Sequence, residues 1–213
     1  MVKKKTIKKR VLGEIFDDWD NKGVEVARDK LKKMYFSEYD MLTYIEERRL
    51  ILHNLIVAEI EIGRKNGLEV YEMSQVKFYT SILKNDMDNE IGYKEGDNAC
   101  LYARVLINYI ESHKKELTRK EIIEGYEFCY HIYENIEDKN DNGYLNKLVA
   151  KFDLNLAKEN FSIVLEILED ILHNNNTEYE KKFNELIKEI KTVNELLYNK
   201  VLLLKQSNII QAI

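Results

Sequence analysis

Residues 160–172 read NFSIVLEILEDIL. Val164, Leu168 and Ile171 follow Phe161 at helical spacing, which on a helix forms one apolar stripe. The preceding stretch, NKLVAKFDLNLAKEN at 146–160, repeats the pattern with Leu148, Phe152 and Leu156. Only Glu159 and Asn160 separate the two stripes, too few residues for anything but a tight turn. Two helices so joined fold into a hairpin.

The same periodicity runs along nearly the whole chain. It predicts helices at about 3–19, 23–35, 38–66, 68–86, 96–115, 118–137, 142–158, 160–174 and 177–206. DNKG at 20–23, SEYD at 37–40, KNG at 65–67, EGDN at 95–98, KNDNG at 139–143 and NNNT at 174–177 punctuate them. Asp97 or Asn98 can cap the fifth helix, and Thr118 followed by Glu121 is a capping box for the sixth. With 213 residues, 8 glycines and 0 prolines, the chain lacks the turn residues of a β-rich fold and reads as all-α. So many helices cannot share one four-helix core. The economical arrangement is a stack of antiparallel hairpins, with an N-terminal helical region at 1–66 and repeats at 67–213 ending in one long helix. No linker marks that boundary, so the two can form one continuous domain.

In NFSIVLEILEDIL, Phe161 takes the aromatic place, Val164 a small-residue place, Leu168 the large place and Ile171 the second small place of a tetratricopeptide second helix. EIIEGYEFCYHIYENIE at 121–137, with Gly125, and SQVKFYTSILKND at 74–86 echo it. The chain thus resembles a divergent tetratricopeptide-like region, as in the sensor part of bacterial peptide-pheromone receptors of the RRNPP type. Three departures stand out: valine and isoleucine occupy the alanine places, the glycine before the turn is absent, and 39 residues separate Gly125 from Val164, against a usual period of about 34. The resemblance implies a right-handed α-solenoid and a bound peptide. Such receptors also carry a DNA-binding helix-turn-helix, and the sequence at 3–31 lacks one.

Charge narrows the partners. The net charge is -5, yet Lys3, Lys4, Lys5, Lys8, Lys9 and Arg10 crowd the first ten residues, leaving -11 for the rest. An acidic body repels phosphate, so anion or nucleic-acid contact is expected only at this basic head. No apolar run suits a membrane helix. Cys100 and Cys129 sit in apolar helical patterns and read as reduced thiols, which with the absent signal peptide suggests a cytoplasmic protein.

Catalytic and metal motifs are wanting. DKNDNGYLNKLV at 138–149 begins like a calcium loop, with Asp138, Asn140, Asn142 and Gly143, but Val149 replaces the closing bidentate glutamate. His53, His113, His131 and His173 are scattered, and His53 and His131 read as core residues. Cys129 and His131, two apart, point in different directions. Glu46, Glu47, Arg48 and Arg49 read as a solvated face. No cofactor, metal or enzymatic activity is expected.

Tyrosine, at 14 residues, is in excess. Tyr102 and Tyr109 on one helix and Tyr126 and Tyr130 on the next are the expected peptide-binding stripe, with Asn108 as an amide contact and Asn135 near it; the other reading puts these rings in the interhelix core. The function expected is therefore a non-enzymatic helical-repeat module that binds a peptide or protein in regulation. Two alternatives stand beside it. One is a DNA-associated regulator using the basic head. The other is a structural protein whose helix at 177–206 joins a homodimer through Phe183, Leu186, Ile190, Val193, Leu197, Val201 and Leu204.

Overall fold

The computed structural model describes the backbone at 2–37, 45–90, 99–135, 141–174 and 176–211, and side chains over slightly shorter spans. The described residues form ten α-helices and one 3₁₀ turn, with no strand among them: the protein is all-α. Contacts divide it into two compact units, 1–117 and 118–213. Position 66 lies inside the first unit.

The first unit holds α1 (Val2–Lys22), α2 (Val24–Ser37), α3 (Ile45–Lys65), a 3₁₀ turn (Val70–Glu72), α4 (Ser74–Asp88) and α5 (Ala99–His113). Each α-helix packs on the next, and the 3₁₀ turn is wedged among α3, α4 and α5. On α2, Val24, Ala27 and Leu31 are buried at helical spacing. α3 lies between α2 and α4, so it buries Ile51, Leu52, Leu55 and Ile56 on more than one side. Gly67, at φ +78°, stops α3 at the expected KNG break in a left-handed turn, closed by Leu68 N–H to Gly63 O (3.0 Å) and Gly67 N–H to Arg64 O (3.1 Å). The helix expected from 68 begins only at Ser74, after the 3₁₀ turn. Gly63 also permits the close approach of the next segment, because a Cβ there would fall 2.3 Å from Met73 Cε.

The second unit holds α6 (Arg119–Asn135), α7 (Asp141–Ala157), α8 (Phe161–Leu172), α9 (Thr177–Val193) and α10 (Glu195–Gln211). The expected capping box starts α6: Thr118 N–H donates to Glu121 Oε2 (2.8 Å) and Glu121 N–H to Thr118 Oγ1 (3.3 Å). Leu148, Phe152 and Leu156 of α7 meet Val164, Ile167, Leu168 and Ile171 of α8 in one apolar cluster. The glycine-less turn between them is made by Glu159 at φ 61°, with Asn160 N–H bonded to Asn155 O (2.8 Å). The first carboxylate of the calcium-like loop, Asp138, lies outside the described residues; Asn142 and Gly143 are within the helical backbone of α7, not in a loop.

One expectation is overturned here. The helix expected at 177–206 is two helices, because Asn194 is extended (φ -153°, ψ 104°) and its side chain accepts from Leu197 N–H (2.9 Å), capping α10. α10 then packs on both α9 and α8. Phe183, Leu186, Ile190, Leu197 and Val201 therefore fill the unit's own core, and Val193 is left exposed. They are not an intermolecular seam.

Candidate functional site

In the first unit, polar side chains of α4 and α5 meet in a layer. Thr80 and Ser112 are fully buried, with their hydroxyl oxygens 3.0 Å apart. Beside them His113 Nε2 lies 3.1 Å from Ser81 Oγ, and His113 Nδ1 lies 3.0 Å from Tyr109 O and 2.9 Å from Ser112 Oγ. The imidazole stacks on the Tyr109 ring, centroids 4.2 Å apart. Lys84 Nζ sits 5.0 Å from the centroid of the same ring and donates to Asp88 Oδ2 (2.6 Å). The Tyr102 hydroxyl donates to the other oxygen of Asp88. The sequence separation of 32 from Ser81 to His113 hides this layer from a reading of single helices.

Aromatic rings are also exposed on the first unit. Phe36 of α2 and Phe78 of α4 are 55% and 59% exposed, which is unusual for phenylalanine. Both rings lean on Tyr79, at 6.1 and 5.8 Å between centroids, and Tyr35 meets Phe36 edge-on at 5.0 Å. Next to this ledge is a cleft of about 180 Å³ lined by Tyr35, Arg48, Arg49, Ile82, Leu83 and Asp86. Small-molecule sites run to roughly 300–1,000 Å³, so this cleft suits one side chain of a partner rather than a cofactor.

Arg49 anchors the cleft floor. Its Nε donates to Asp86 Oδ2 (2.6 Å), and Nη1 and Nη2 donate to the two oxygens of Glu90 (2.8 Å each). Arg49 is 1% exposed, so its reading as a solvated face is overturned: it is a buried clasp between α3 and the end of α4. Its hydrogen bond holds the Glu90 carboxyl below the usual carboxylate range.

The sequence-selected residues are dispersed between the two units. Tyr102 and Tyr109 belong to the polar layer of the first unit, Tyr102 buried and Tyr109 half-buried; Asn108 is half-buried on the same helix. Tyr126 and Tyr130 belong to α6 of the second unit, where Tyr126 is buried and Tyr130 donates to Glu134 Oε1 (3.0 Å). Asn135 donates to His131 O (2.8 Å). Tyr102 and Tyr126 are core side chains, leaving Tyr109 and Tyr130 as the partly open ones. The basic residues Lys3, Lys4, Lys5, Lys8, Lys9 and Arg10 lie on the helical backbone of α1, with side chains outside the described residues.

His53 is buried as expected, whereas His131 is exposed. Burial, aided by the charge of Arg104, lowers His53 to about 4, and its Nδ1 has no hydrogen-bond partner. Cys129 is buried and its thiol is pushed well up by desolvation. No disulfide and no metal-binding group of side chains occurs among the described residues. No helix among them is long and apolar enough to cross a membrane. Compared with protein-family models, curated proteins and solved structures, the chain matches none.

Proposed function

We propose that this protein is a regulatory helical-repeat module whose first unit binds a peptide or protein partner. The observation that carries the reading is the pair Phe36 and Phe78, exposed on α2 and α4 and joined through Tyr79 beside a cleft of side-chain size. Aromatic rings of this kind are the residues that anchor interfaces, and burying two of them contributes a few kcal/mol. Consecutive packing of the helices within each unit, and the interlocking stripes of α7 and α8, support a loosened tetratricopeptide-like arrangement similar to the pheromone-receptor sensors. In such a stack Val164 and Ile171, larger than alanine, would push the paired helices apart or change their crossing angle.

The test uses photocrosslinking from position 78 in cells, with the Phe36→Ser variant alongside. The reading expects one crosslinked species that Phe36→Ser removes and Leu203→Ser, on α10 of the second unit, leaves unchanged. Crosslinks that are absent, or indifferent to Phe36→Ser, overturn it.

A second reading is self-association through α10. Leu196 and Leu203, seven residues apart, are 69% and 65% exposed, opposite the face that buries Leu197 and Val201. Light scattering that gives a monomer at high concentration removes it.

A further inference from the structure

We propose that Ser81 is a nucleophile activated by His113, and that it takes acyl groups from carboxylic esters with short apolar acyl chains. This goes beyond the binding reading and does not rest on it.

The geometry starts with the imidazole. Tyr109 O can only accept a hydrogen bond, and it lies 3.0 Å from His113 Nδ1. Ser112 Oγ, 2.9 Å from Nδ1, itself donates to Tyr109 O. In the tautomer with the proton on Nδ1, facing these two acceptors, Nε2 accepts from the Ser81 hydroxyl at 3.1 Å. A nucleophile, a base within hydrogen-bond reach and a third group orienting the base is the arrangement that activates serine. Stacking on Tyr109 keeps the ring in plane with both partners, which makes Tyr109 a positioning residue. Thr80, next along α4, has a hydroxyl 2.8 Å from Val76 O in the ordinary helical back-bond. The Ser81 hydroxyl is aimed instead at the neighbouring helix.

Two further groups complete the site. Ser81 N–H lies within α4, so a developing oxyanion needs another donor. Lys84 lies one turn on, on the same side of the helix, where Asp88 holds its ammonium. Phe78, one turn back and 59% exposed, offers an apolar surface for the acyl chain. In the step, Ser81 Oγ attacks the ester carbonyl carbon while its proton passes to His113 Nε2. The ester C–O bond breaks, and the leaving alkoxide takes that proton. Water then attacks the acyl-serine, with His113 again the base, releasing the carboxylic acid and restoring Ser81.

The full chain is treated with a fluorophosphonate probe and mapped by peptide mass spectrometry, and p-nitrophenyl butyrate hydrolysis is followed in parallel. Expected are labelling at Ser81 and a hydrolysis rate that depends on His113. Ser81→Ala abolishes labelling, and His113→Gln slows hydrolysis on the order of 10²-fold with KM little changed. Lys84→Met lowers kcat, and Ser81→Cys keeps acyl transfer. The proposal is overturned by labelling at other residues only, or by equal labelling rates in wild type and His113→Gln. Should Ser81→Ala not fold, the peptide map of the wild type still decides. Loss of Phe36-dependent crosslinking leaves this result untouched, so the two readings fail separately.

Discussion

In the second unit Phe152, Leu168, Phe183 and Ile190 meet in a cluster of apolar side chains, each at 0% exposure, whereas the first unit closes over Arg49, His53, Thr80 and Ser112. At the surface the contrast reverses, because the first unit displays Phe36 and Phe78 while burying polar groups behind them. Apolar burial yields stability directly, whereas a buried polar group at best recovers its desolvation through hydrogen bonds. A unit that hides a guanidinium, an imidazole and two hydroxyls while exposing rings is poorly explained by stability alone. That is the physical ground for seeking function on α2, α4 and α5, and for treating the second unit as the simpler fold.

The contrast is most sharply tested in the dry core. Phe152→Ala opens a cavity where the surroundings cannot all collapse, and is expected to cost about 4 kcal/mol in urea unfolding. Amide exchange should localise the loss to α7, α8 and α9. Next comes the clasp of the first unit. Replacing Asp86 and Glu90 together with alanine takes both carboxylates from a buried guanidinium and is expected to lower the urea midpoint markedly. Arg49→Met leaves two carboxylates that are each 44% exposed and already reach water, so its cost should be clearly smaller. The reverse order would mean that Arg49 acts through packing alone.

Acid should also separate the units. His53 falls from 6.5 to about 4 on burial, so between these values the unfolded chain binds a proton that the folded one refuses. Stability is therefore complete above pH 6.5 and declines as pH falls toward 4, by about 2 kcal/mol at pH 5. His53→Leu should flatten the part of that slope measured between urea midpoints at pH 7 and pH 5. The smallest effect concerns two matching helix ends. α3 ends with Gly67 in the left-handed conformation, and α7 with Glu159 in the same conformation. Gly67→Ala is expected to lose about 1 kcal/mol and Glu159→Gly to gain up to about as much, read from thermal midpoints. The Arg119–Glu159 pair, 60% exposed on both sides, offsets little of that gain.

Helices were readable because the 3.6-residue period survives in each segment, and the Thr118–Glu121 box even marked a start. The break at Asn194 was harder. Periodic apolar residues continue on both sides and neither glycine nor proline intervenes, although Asn194 followed by Glu195 carries the chemistry of a cap. Arg49 misled for another reason: a charge among charges implies solvent until the facing carboxylates, 37 and 41 residues away, are known. The tyrosine excess suggested a binding stripe on α5 and α6 but could not say which rings were enclosed, as Tyr102 and Tyr126 are. Ser81 and His113 gave no signal at all, since neither belongs to a motif and only the pairing of α4 with α5 unites them.

Leu197 and Val201 of α10 sit in the same cluster as Phe152 and Val164. During synthesis, α7 and α8 therefore emerge with nothing to cover much of their apolar surface. A nascent chain stopped at Asn194 would hold α9 but leave part of the cluster open, an invitation to chaperones and to aggregation. The order in which the helices are made thus leaves this unit dependent on its final hairpin, and its vulnerable moment comes before the ribosome has added Val201.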